Sequence, residues 1–399
     1  MKTLLNKAKN LQKQMSKDRR WLHAHAEVGF DTNATKKYIA TRLTEMGISW
    51  QEIGKGGIVA VLAPRKKGGA TLLRADIDAL HIEEKSGEPF ACEKGRMHAC
   101  GHDLHAAILL GAAQILKDEE NNLPTPVKLL FQPAEELLQG AEDCVQSGLL
   151  ENPKVVRAAA LHVAVATPLP TGTVVIPSVG VCAPAADFFK ITVQGKGCHG
   201  SAPQNGVDAL LIAAHILLSS QEIITREIPS SIPTVLTFGK MQGGDTGNAI
   251  AEKSVLEGTL RSFDEQVRAQ VKSRLEEIAN GIAKTFQGEA KTQFFGGCPC
   301  LVNEETQCAR LAKCTGQVFD ERFIFNINAQ KNSELQRKSG GSEDFAFISQ
   351  KVPSVFFSVA AGATQDGFTE PLHSPRVRFD EEALYHGAAA LAAFALCEE

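Results

Sequence analysis

The sequence predicts an α/β fold in which a mainly parallel sheet is interrupted by an inserted ferredoxin-like domain of βαββαβ order. Two observations lead to this prediction. Short apolar strands alternate with amphipathic helices through the first half of the chain, which is typical of a parallel sheet covered by helices. Between residues 186 and 297 the order changes to strand, helix, strand, strand, helix, strand. A chain of 399 residues has room for both domains.

In the first half, apolar residues at helical spacing alternate with short apolar runs beside glycine or proline. The predicted helices are 4–25, 33–46, 104–117 and 136–147, and the predicted strands are 58–62, 71–73, 127–131 and 155–161. Ligands of such sheets bind at the carboxyl ends of the strands. Glu135 and Glu136 follow the third of these strands and His162 follows the fourth, so all three are expected at that edge.

The inserted segment begins with an alternating strand in which Phe189, Ile191 and Val193 share one face. The predicted elements are a strand at 187–194, a helix at 207–225, strands at 234–240 and 255–262, a helix ending near 286 and a strand at 291–295. Ser262 and Glu265 have the spacing of a capping box for the second helix. A strand at 352–359 and a helix at 381–396 then return to the first pattern. The predicted domains are therefore 1–185 with 298–399, and 186–297.

Composition excludes several classes of protein. The net charge is −4, and the longest basic run, Arg65-Lys66-Lys67, is too short for a nucleic-acid surface. The charge-free run 158–186 contains prolines that would break a membrane helix, so we expect strands and no membrane partner. Ten scattered cysteines and an N-terminus without an apolar signal core predict a reduced, cytoplasmic protein. The roles of Cys298 and Cys300 stay open.

The segment Met97–His105 places three histidines, one cysteine and one aspartate within nine residues. Thiolate, imidazole and carboxylate are the groups that bind divalent transition metals. The further candidates lie far apart in the chain, which is typical of an enzyme site rather than a zinc finger. The candidate ligands are Cys100, His102, Glu136, His162 and His373.

Five ligands exceed what one catalytic zinc ion needs, because such a site uses three and leaves a position for water. They can serve two ions if one ligand bridges, so we predict a binuclear site with Cys100 as a bridge and water as a second one. Two close cations lower the pKa of that water and polarise a carbonyl group. Alternatives remain for the histidines: His162 can be a core residue and His373 a loop residue. His98 and His105 are expected to support the motif rather than bind metal.

Several carboxylates are expected around this site. Glu135 precedes the candidate ligand Glu136 and points elsewhere, so it can act as a general base on the water. The alternative is a helix N-terminus, where the helix dipole favours acidic residues. Asp103 is predicted to accept a hydrogen bond from a ligand histidine. Asp76 and Asp78 either support the site in the same way or lie solvated in a turn.

The string Met97-His98-Ala99-Cys100-Gly101-His102-Asp103 resembles the signature of the M20 metallopeptidase superfamily, and specifically the N-acyl-amino-acid amidohydrolases that include hippurate and auxin-conjugate hydrolases. The resemblance spans nearly the whole chain. It also includes Arg74–Leu80, Phe131–Glu136, Gly195–His199, Gly258–Phe263, Gly341–Phe345 and Leu372-His373, in family order. It implies that the five candidates are metal ligands and that Glu135 is the general base.

The resemblance also implies that the inserted domain is a lid and dimerisation domain, which would make the protein a homodimer. It implies that His199 reaches the scissile carbonyl and that Asn248 and Arg261 bind the polar end of the substrate. Arg261 can hold a carboxylate by two parallel hydrogen bonds, and an ion pair at the surface or between domains is the alternative. The residues beside His199 and Asn248 depart from the family pattern, which leaves the substrate open.

We therefore predict a metal-dependent enzyme that hydrolyses N-acyl amino acids, for example N-acetyl amino acids, to a carboxylate and a free amino acid. The expected cofactors are two divalent ions per chain, and the ligand types admit zinc, manganese, cobalt or nickel. One alternative is a dipeptidase or aminopeptidase with the same binuclear machinery. Another is a metal-binding protein that has lost catalysis. The expected partner is a small-molecule substrate.

Overall fold

A computed structural model describes residues 2–329 and 340–398. The described residues form two compact units: 2–182, 301–329 and 343–398 make the larger one, and 183–300 with 340–342 the smaller one. The helices are α1 Lys2–Ala24, α2 Asn33–Glu45, α3 His102–Asp118, α4 Gly140–Gln146, α5 Ala209–Glu222, α6 Glu265–Thr285, α7 Glu305–Gly316, α8 Ala346–Ser349 and α9 Ala383–Leu396. The strands are β1 Trp50–Ile53, β2 Gly57–Leu62, β3 Ala70–Asp76, β4 Val127–Gln132, β5 Val155–Ala164, β6 Val174–Ile176, β7 Gly180–Ala183, β8 Ala185–Gln194, β9 Cys198–His199, β10 Thr234–Gly243, β11 Ala249–Ile250, β12 Lys253–Ser262, β13 Glu289–Cys298, β14 Leu301–Asn303, β15 Ile324–Asn326 and β16 Ser354–Ala360.

The larger unit is built on an eight-stranded sheet in the order β1-β2-β4-β3-β5-β16-β6-β15. Its central strands are parallel: β3 pairs with β4 and β5, and β16 pairs with β5. β1, β2 and β4 pair antiparallel at one end, and β16 pairs antiparallel with β6 near the other. The prediction of an α/β fold with a mainly parallel sheet is confirmed.

Helix α3 is buried on almost every side because it packs against α1, α9 and the sheet. Accordingly, apolar alanine, leucine and isoleucine residues occur on all sides of the helix and not only on one face. Gly101 precedes it with φ +86°, and a Cβ there would lie 2.4 Å from Val163 Cγ2. Only glycine fits this close approach, which sets His102 at the start of the helix against the end of β5.

Three neighbouring parallel strands deliver polar side chains at their carboxyl ends. β3 ends at Asp76, β4 ends at Gln132 just before Glu135, and β5 carries His162 near its end. The strand containing His162 runs to Ala164, so this histidine lies inside the strand and not after it as predicted. The extra residues pair with β16, whose Ser358 lies opposite His162.

The smaller unit contains a four-stranded antiparallel sheet in the order β10-β12-β8-β13, with α5 and α6 against one face. The predicted apolar face of β8 is fully buried against these helices, at Phe189, Ile191 and Val193. The predicted capping box is wrong. Asp264 caps α6, because its carboxylate accepts hydrogen bonds from two helix amides, whereas the Ser262 hydroxyl accepts from the Asp264 amide.

One stretch, 209–227, is long and apolar enough to cross a membrane by length and composition alone. In the smaller unit its residues Ala209, Ile212 and Ile216 belong to the buried core. A core helix of a globular unit passes the same test, so this stretch gives little evidence for a membrane.

Candidate metal centre

Cys100 lies at the centre of the candidate site, in the loop that leads into α3. Its thiol is buried, and its Sγ atom lies 3.4 Å from Nε2 of His162 and 3.2 Å from Nε2 of His373. These contacts bring together residues that are 62 and 273 positions apart in the sequence. The loop of His373 is held to the same segment, since the His373 amide donates to the Ala99 carbonyl at 2.9 Å.

The ring of His102 is oriented by the backbone. Its Nδ1 lies 2.9 Å from the carbonyl oxygen of Asp78, which can only accept, so in the neutral ring Nδ1 carries the proton and Nε2 keeps a lone pair. Among the described residues this buried Nε2 has no hydrogen-bond partner. It lies 3.8 to 4.0 Å from carboxylate oxygens of Asp76, Glu135 and Glu136. An unpartnered lone pair surrounded by acceptors fits a bound cation.

His162 is set up in the same way. Its Nδ1 donates to the Val163 carbonyl at 2.7 Å, which leaves the Nε2 lone pair directed at the Cys100 side. On the other side of Cys100, His373 Nε2 lies 3.5 Å from Oε1 of Glu136. That oxygen is buried and has no hydrogen-bond partner among the described residues.

The five candidate ligands form two overlapping sets. Atoms of Cys100, His102 and His162 lie within 4.8 Å of one another, and so do atoms of Cys100, Glu136 and His373. Each set offers three donor atoms of the types that zinc and similar ions prefer. Because Cys100 belongs to both, the arrangement fits two ions that share one thiolate.

Glu135 and Glu136 occupy a turn and not a helix. Non-glycine residues with positive φ lie on either side, Ala134 at 57° and Leu138 at 54°, and α4 begins only at Gly140. The predicted start of a helix at Glu136 is therefore wrong, as is the alternative that the pair lies at a helix N-terminus. The Asp78 carboxylate accepts hydrogen bonds from the amides of Glu135 and Glu136 at 3.0 and 3.2 Å.

Glu135 sits in an acidic surrounding. One of its carboxylate oxygens lies within 4.8 Å of oxygens of Glu343 and Asp344. Burial raises the pKa of the Glu135 carboxyl well above its usual range, and the charges of Glu343 and Asp344 raise it further. The buried guanidinium of Arg74 contacts both of those carboxylates, at 2.9 and 2.8 Å, and so balances part of their charge.

Asp344 also fixes the chain that carries Glu135. Its carboxylate accepts from the Gln132 side chain at 2.8 Å and from the Ala141 amide at 2.8 Å, so it holds both ends of the turn. Sequence reasoning gave no role to Arg74, Glu343 or Asp344. The available signal was an arginine inside an otherwise apolar strand, because such a residue must find acidic partners when it is buried.

Asp76 and Asp78 are completely buried, so the alternative of solvated acids in a turn is wrong. Asp76 accepts from Nδ1 of His105 at 2.5 Å, and Nε2 of His105 accepts from the Val163 amide at 2.9 Å. Both ring nitrogens of His105 are therefore engaged, and this histidine supports the end of β5 instead of offering a lone pair to a metal.

The expected role of Asp103 is contradicted. Its carboxylate bonds with Arg19 and with Nδ1 of His23, each at 2.8 Å, and not with a candidate ligand histidine. It faces α1 because the first turn of α3 is wedged between that helix and the sheet. His98 is buried beside this group, and its two ring nitrogens have no hydrogen-bond partner among the described residues.

The ring environments differ across the centre. Burial lowers the pKa of His162 to about 3, and nearby His105 contributes. Burial would also lower the pKa of His102, but the charge of Asp76 overrides this and holds it well above its ordinary value. Burial raises the pKa of the Cys100 thiol to about 12. A cation would favour the thiolate and the neutral imidazoles, which are the forms that bind metal.

The remaining candidates lie in the smaller unit. His199, in β9, pairs with Ala249 of β11, and the Asn248 carbonyl accepts from the Gly200 amide at 2.7 Å. Nδ1 of His199 accepts from the Ser201 amide at 3.2 Å, so the neutral ring carries its proton on Nε2.

Arg261, in β12, donates to the hydroxyl of Thr259 and to the Leu260 carbonyl. Within the described ranges it makes no salt bridge with a carboxylate. The alternative interpretation, a structural ion pair, is therefore not observed for this side chain.

Comparison with known proteins gives concordant matches. Residues 72–396 match the family described as peptidase family M20/M25/M40. The chain is 37% identical over 380 residues to the N-acetyl-L-cysteine deacetylase of Bacillus subtilis, covering 94% of this chain and 85% of that one. It is 33% identical over 388 residues to the IAA-amino acid hydrolase ILR1-like 4 of Arabidopsis thaliana, with coverage of 94% and 84%. The Bacillus subtilis YXEP protein, described as a dinuclear metal binding peptidase from the M20 family, superposes with a TM-score of 0.80 at 29% identity, covering 97% and 98%.

Proposed function

This chain belongs to the peptidase family M20/M25/M40, and from that premise we propose that it is a metal-dependent amidohydrolase that cleaves N-acyl amino acids to a carboxylate and a free amino acid. The observation that carries the proposal is the pair of ligand sets that share Cys100, with the Glu135 carboxylate beside them. The names of two relatives, a deacetylase of N-acetyl-L-cysteine and a hydrolase of an amino-acid conjugate, support this substrate class.

The proposed cofactors are two divalent ions. Cys100, His102 and His162 would hold one, and Cys100, Glu136 and His373 the other. Such a pair of ions supplies an activated water and polarises the acyl carbonyl. The same donor set suits zinc, manganese, cobalt or nickel. Support for two ions comes from the shared thiol and from the related structure described as dinuclear.

Glu135 is proposed as the general base. It would take a proton from the attacking water, hold it, and deliver it to the nitrogen of the departing amino acid. Burial and neighbouring carboxylates raise its pKa, which is the direction expected of a carboxylate that must hold a proton during the reaction. Asp78 holds the backbone of Glu135 in place, which limits the positions that its carboxylate can take.

His199 is proposed to stabilise the negative charge that develops on the acyl oxygen. Its Nδ1 accepts from the Ser201 amide, which leaves an Nε2 proton available for donation. Asn248 and Arg261 are proposed to bind the polar end of the substrate, and segment 186–297 to act as a lid and dimerisation domain. Leu211 and Leu218 on α5 are exposed, and such apolar side chains support a homodimer. In that dimer His199 would act either within its own subunit or in the partner.

The test combines metal analysis with turnover. Metal content per chain is measured beside hydrolysis of a panel of N-acetyl amino acids, with and without chelator and added Mn²⁺, Zn²⁺ or Co²⁺. The expected result is up to two ions per chain and chelator-sensitive release of free amino acid. Glu135→Gln should abolish turnover while metal content stays unchanged, and unchanged turnover in this variant would refute the base. Turnover of dipeptides alone would instead indicate a dipeptidase.

A further inference from the structure

One face of the sheet in the smaller unit carries unusual side chains. The helices cover the opposite face, and the register places Phe188 of β8 between Thr259 of β12 and Phe295 of β13 on the uncovered face. Large apolar side chains there are widely exposed: Phe188 by 39%, Phe295 by 53% and Val235 by 52%. Exposed apolar groups that lie together mark a surface that binds something.

The two phenylalanine rings form a flat apolar platform. Their centroids lie 6.3 Å apart and the ring planes differ by 23°, so the two rings are neighbours and nearly parallel. Further along the same face, the pattern becomes charged, where Lys190 and Lys240 pair with Glu257. The apolar surface is therefore confined to the end of the sheet that also carries Arg261.

Arg261 adjoins the platform and has donors to spare. Its guanidinium carbon lies 5.6 Å from the centre of the Phe188 ring. Nη1 donates to Thr259 and to the Leu260 carbonyl, while Nε and Nη2 have no partner among the described residues. A half-buried guanidinium without a carboxylate is costly unless a ligand supplies an anion. The two unused donors have the parallel geometry that a carboxylate accepts.

We propose that Arg261, Phe188 and Phe295 form the subsite for the amino-acid half of the substrate and select amino acids with a bulky apolar or aromatic side chain. This inference rests on the proposed function. The carboxylate and the side chain of an amino acid branch from the same carbon atom. When the carboxylate pairs with Arg261, the side chain therefore lies within reach of the adjacent rings, which bind it by burial and by aromatic stacking.

The test compares N-acetyl-L-phenylalanine, N-acetyl-L-alanine and N-acetyl-L-phenylalaninamide, whose carboxylate is blocked. For the unmodified enzyme we expect kcat/KM for N-acetylphenylalanine to exceed that for N-acetylalanine by about tenfold or more. Phe188→Ala and Phe295→Ala should each lower this ratio by about tenfold. The amide should be a poor substrate. Lys190→Ala, on the same strand and face but outside the platform, should leave the ratio unchanged.

A binding measurement separates this inference from the proposed function. Calorimetry on the Glu135→Gln enzyme gives dissociation constants for the same compounds without turnover. Tighter binding of N-acetylphenylalanine than of N-acetylalanine, with the difference lost in Phe188→Ala, supports the subsite. This holds even if the wild-type enzyme hydrolyses neither compound, because an absence of hydrolysis would refute only the proposed function. An unchanged ratio in both phenylalanine variants overturns the subsite. A changed oligomeric state with equal loss for all substrates also overturns it, because a second copy then covers this face.

Discussion

The Asp78 carboxylate is the clearest single anchor of the turn that carries Glu135 and Glu136. It is completely buried and accepts two backbone hydrogen bonds, one from each glutamate amide. Hydrogen bonds to charged groups contribute about 1.5–3 kcal/mol each, so Asp78→Ala should lower the free energy of unfolding by about 3–6 kcal/mol. Asp78→Asn keeps one acceptor oxygen and presents a donor to the other amide, so about half of that loss is expected.

Denaturant unfolding of both variants, with and without chelator, measures this loss. The Asp78→Ala effect should persist in chelator, because the hydrogen bonds hold the turn whether or not metal is bound. Asp366→Asn, at the exposed end of a short 3-10 helix, serves as the control for loss of an acidic side chain and should change stability by less than about 0.5 kcal/mol. An Asp78→Ala protein as stable as this control would refute the assigned role.

Three further predictions concern the metal centre and its surroundings. Gly101→Ala should lose metal and stability, because its Cβ would meet Val163 at 2.4 Å in a left-handed backbone conformation, and elemental analysis with thermal unfolding measures both. Cys100→Ala should lower metal content more than His162→Ala, since the thiol belongs to both ligand sets and the imidazole to one; equal losses would contradict the shared thiol. Burial alone would lower the pKa of His23, but the neighbouring carboxylates of Asp103 and Glu84 raise that pKa from 6.5 to about 9. The stability that the protonated ring contributes is therefore complete below pH 6.5 and is lost as the pH rises through 9. Unfolding measured across this range should show that loss, and His23→Leu should show a smaller one.

The sequence predicts those parts of the site that depend on local pattern. Cys100 and His102 lie in one short motif, and Glu136 comes just after a strand, where a parallel sheet gathers its ligands. The turn at Glu135 was not predictable from local pattern, because Ala134 and Leu138 adopt positive φ without being glycine or asparagine. That conformation is imposed by carboxylates at positions 78 and 344, which only the folded chain brings near.

The wrong prediction for Asp103 has a related cause. An acid beside a ligand histidine commonly orients that histidine, and the sequence gives no reason to choose otherwise. In the structure, Arg19 and His23 come from a helix about 80 residues away and take this carboxylate, while the Asp78 carbonyl orients His102 instead. The N-cap of α6 shows the same limit at short range, since neighbouring serine and aspartate can both cap and the backbone decides between them.

The charges of the centre connect its stability to its cofactors. Burial and crowding with like charges raise the pKa values of Glu135, Glu136 and Asp344, and Arg74 offsets only part of this repulsion. Protons or divalent ions can compensate the rest, and the two compete for the same oxygens and for the Cys100 sulfur. The turn is also held by hydrogen bonds that backbone amides donate to the carboxylates of Asp78 and Asp344. Backbone hydrogen bonds therefore preorganise this turn, which reduces the ordering that ion binding would otherwise have to supply.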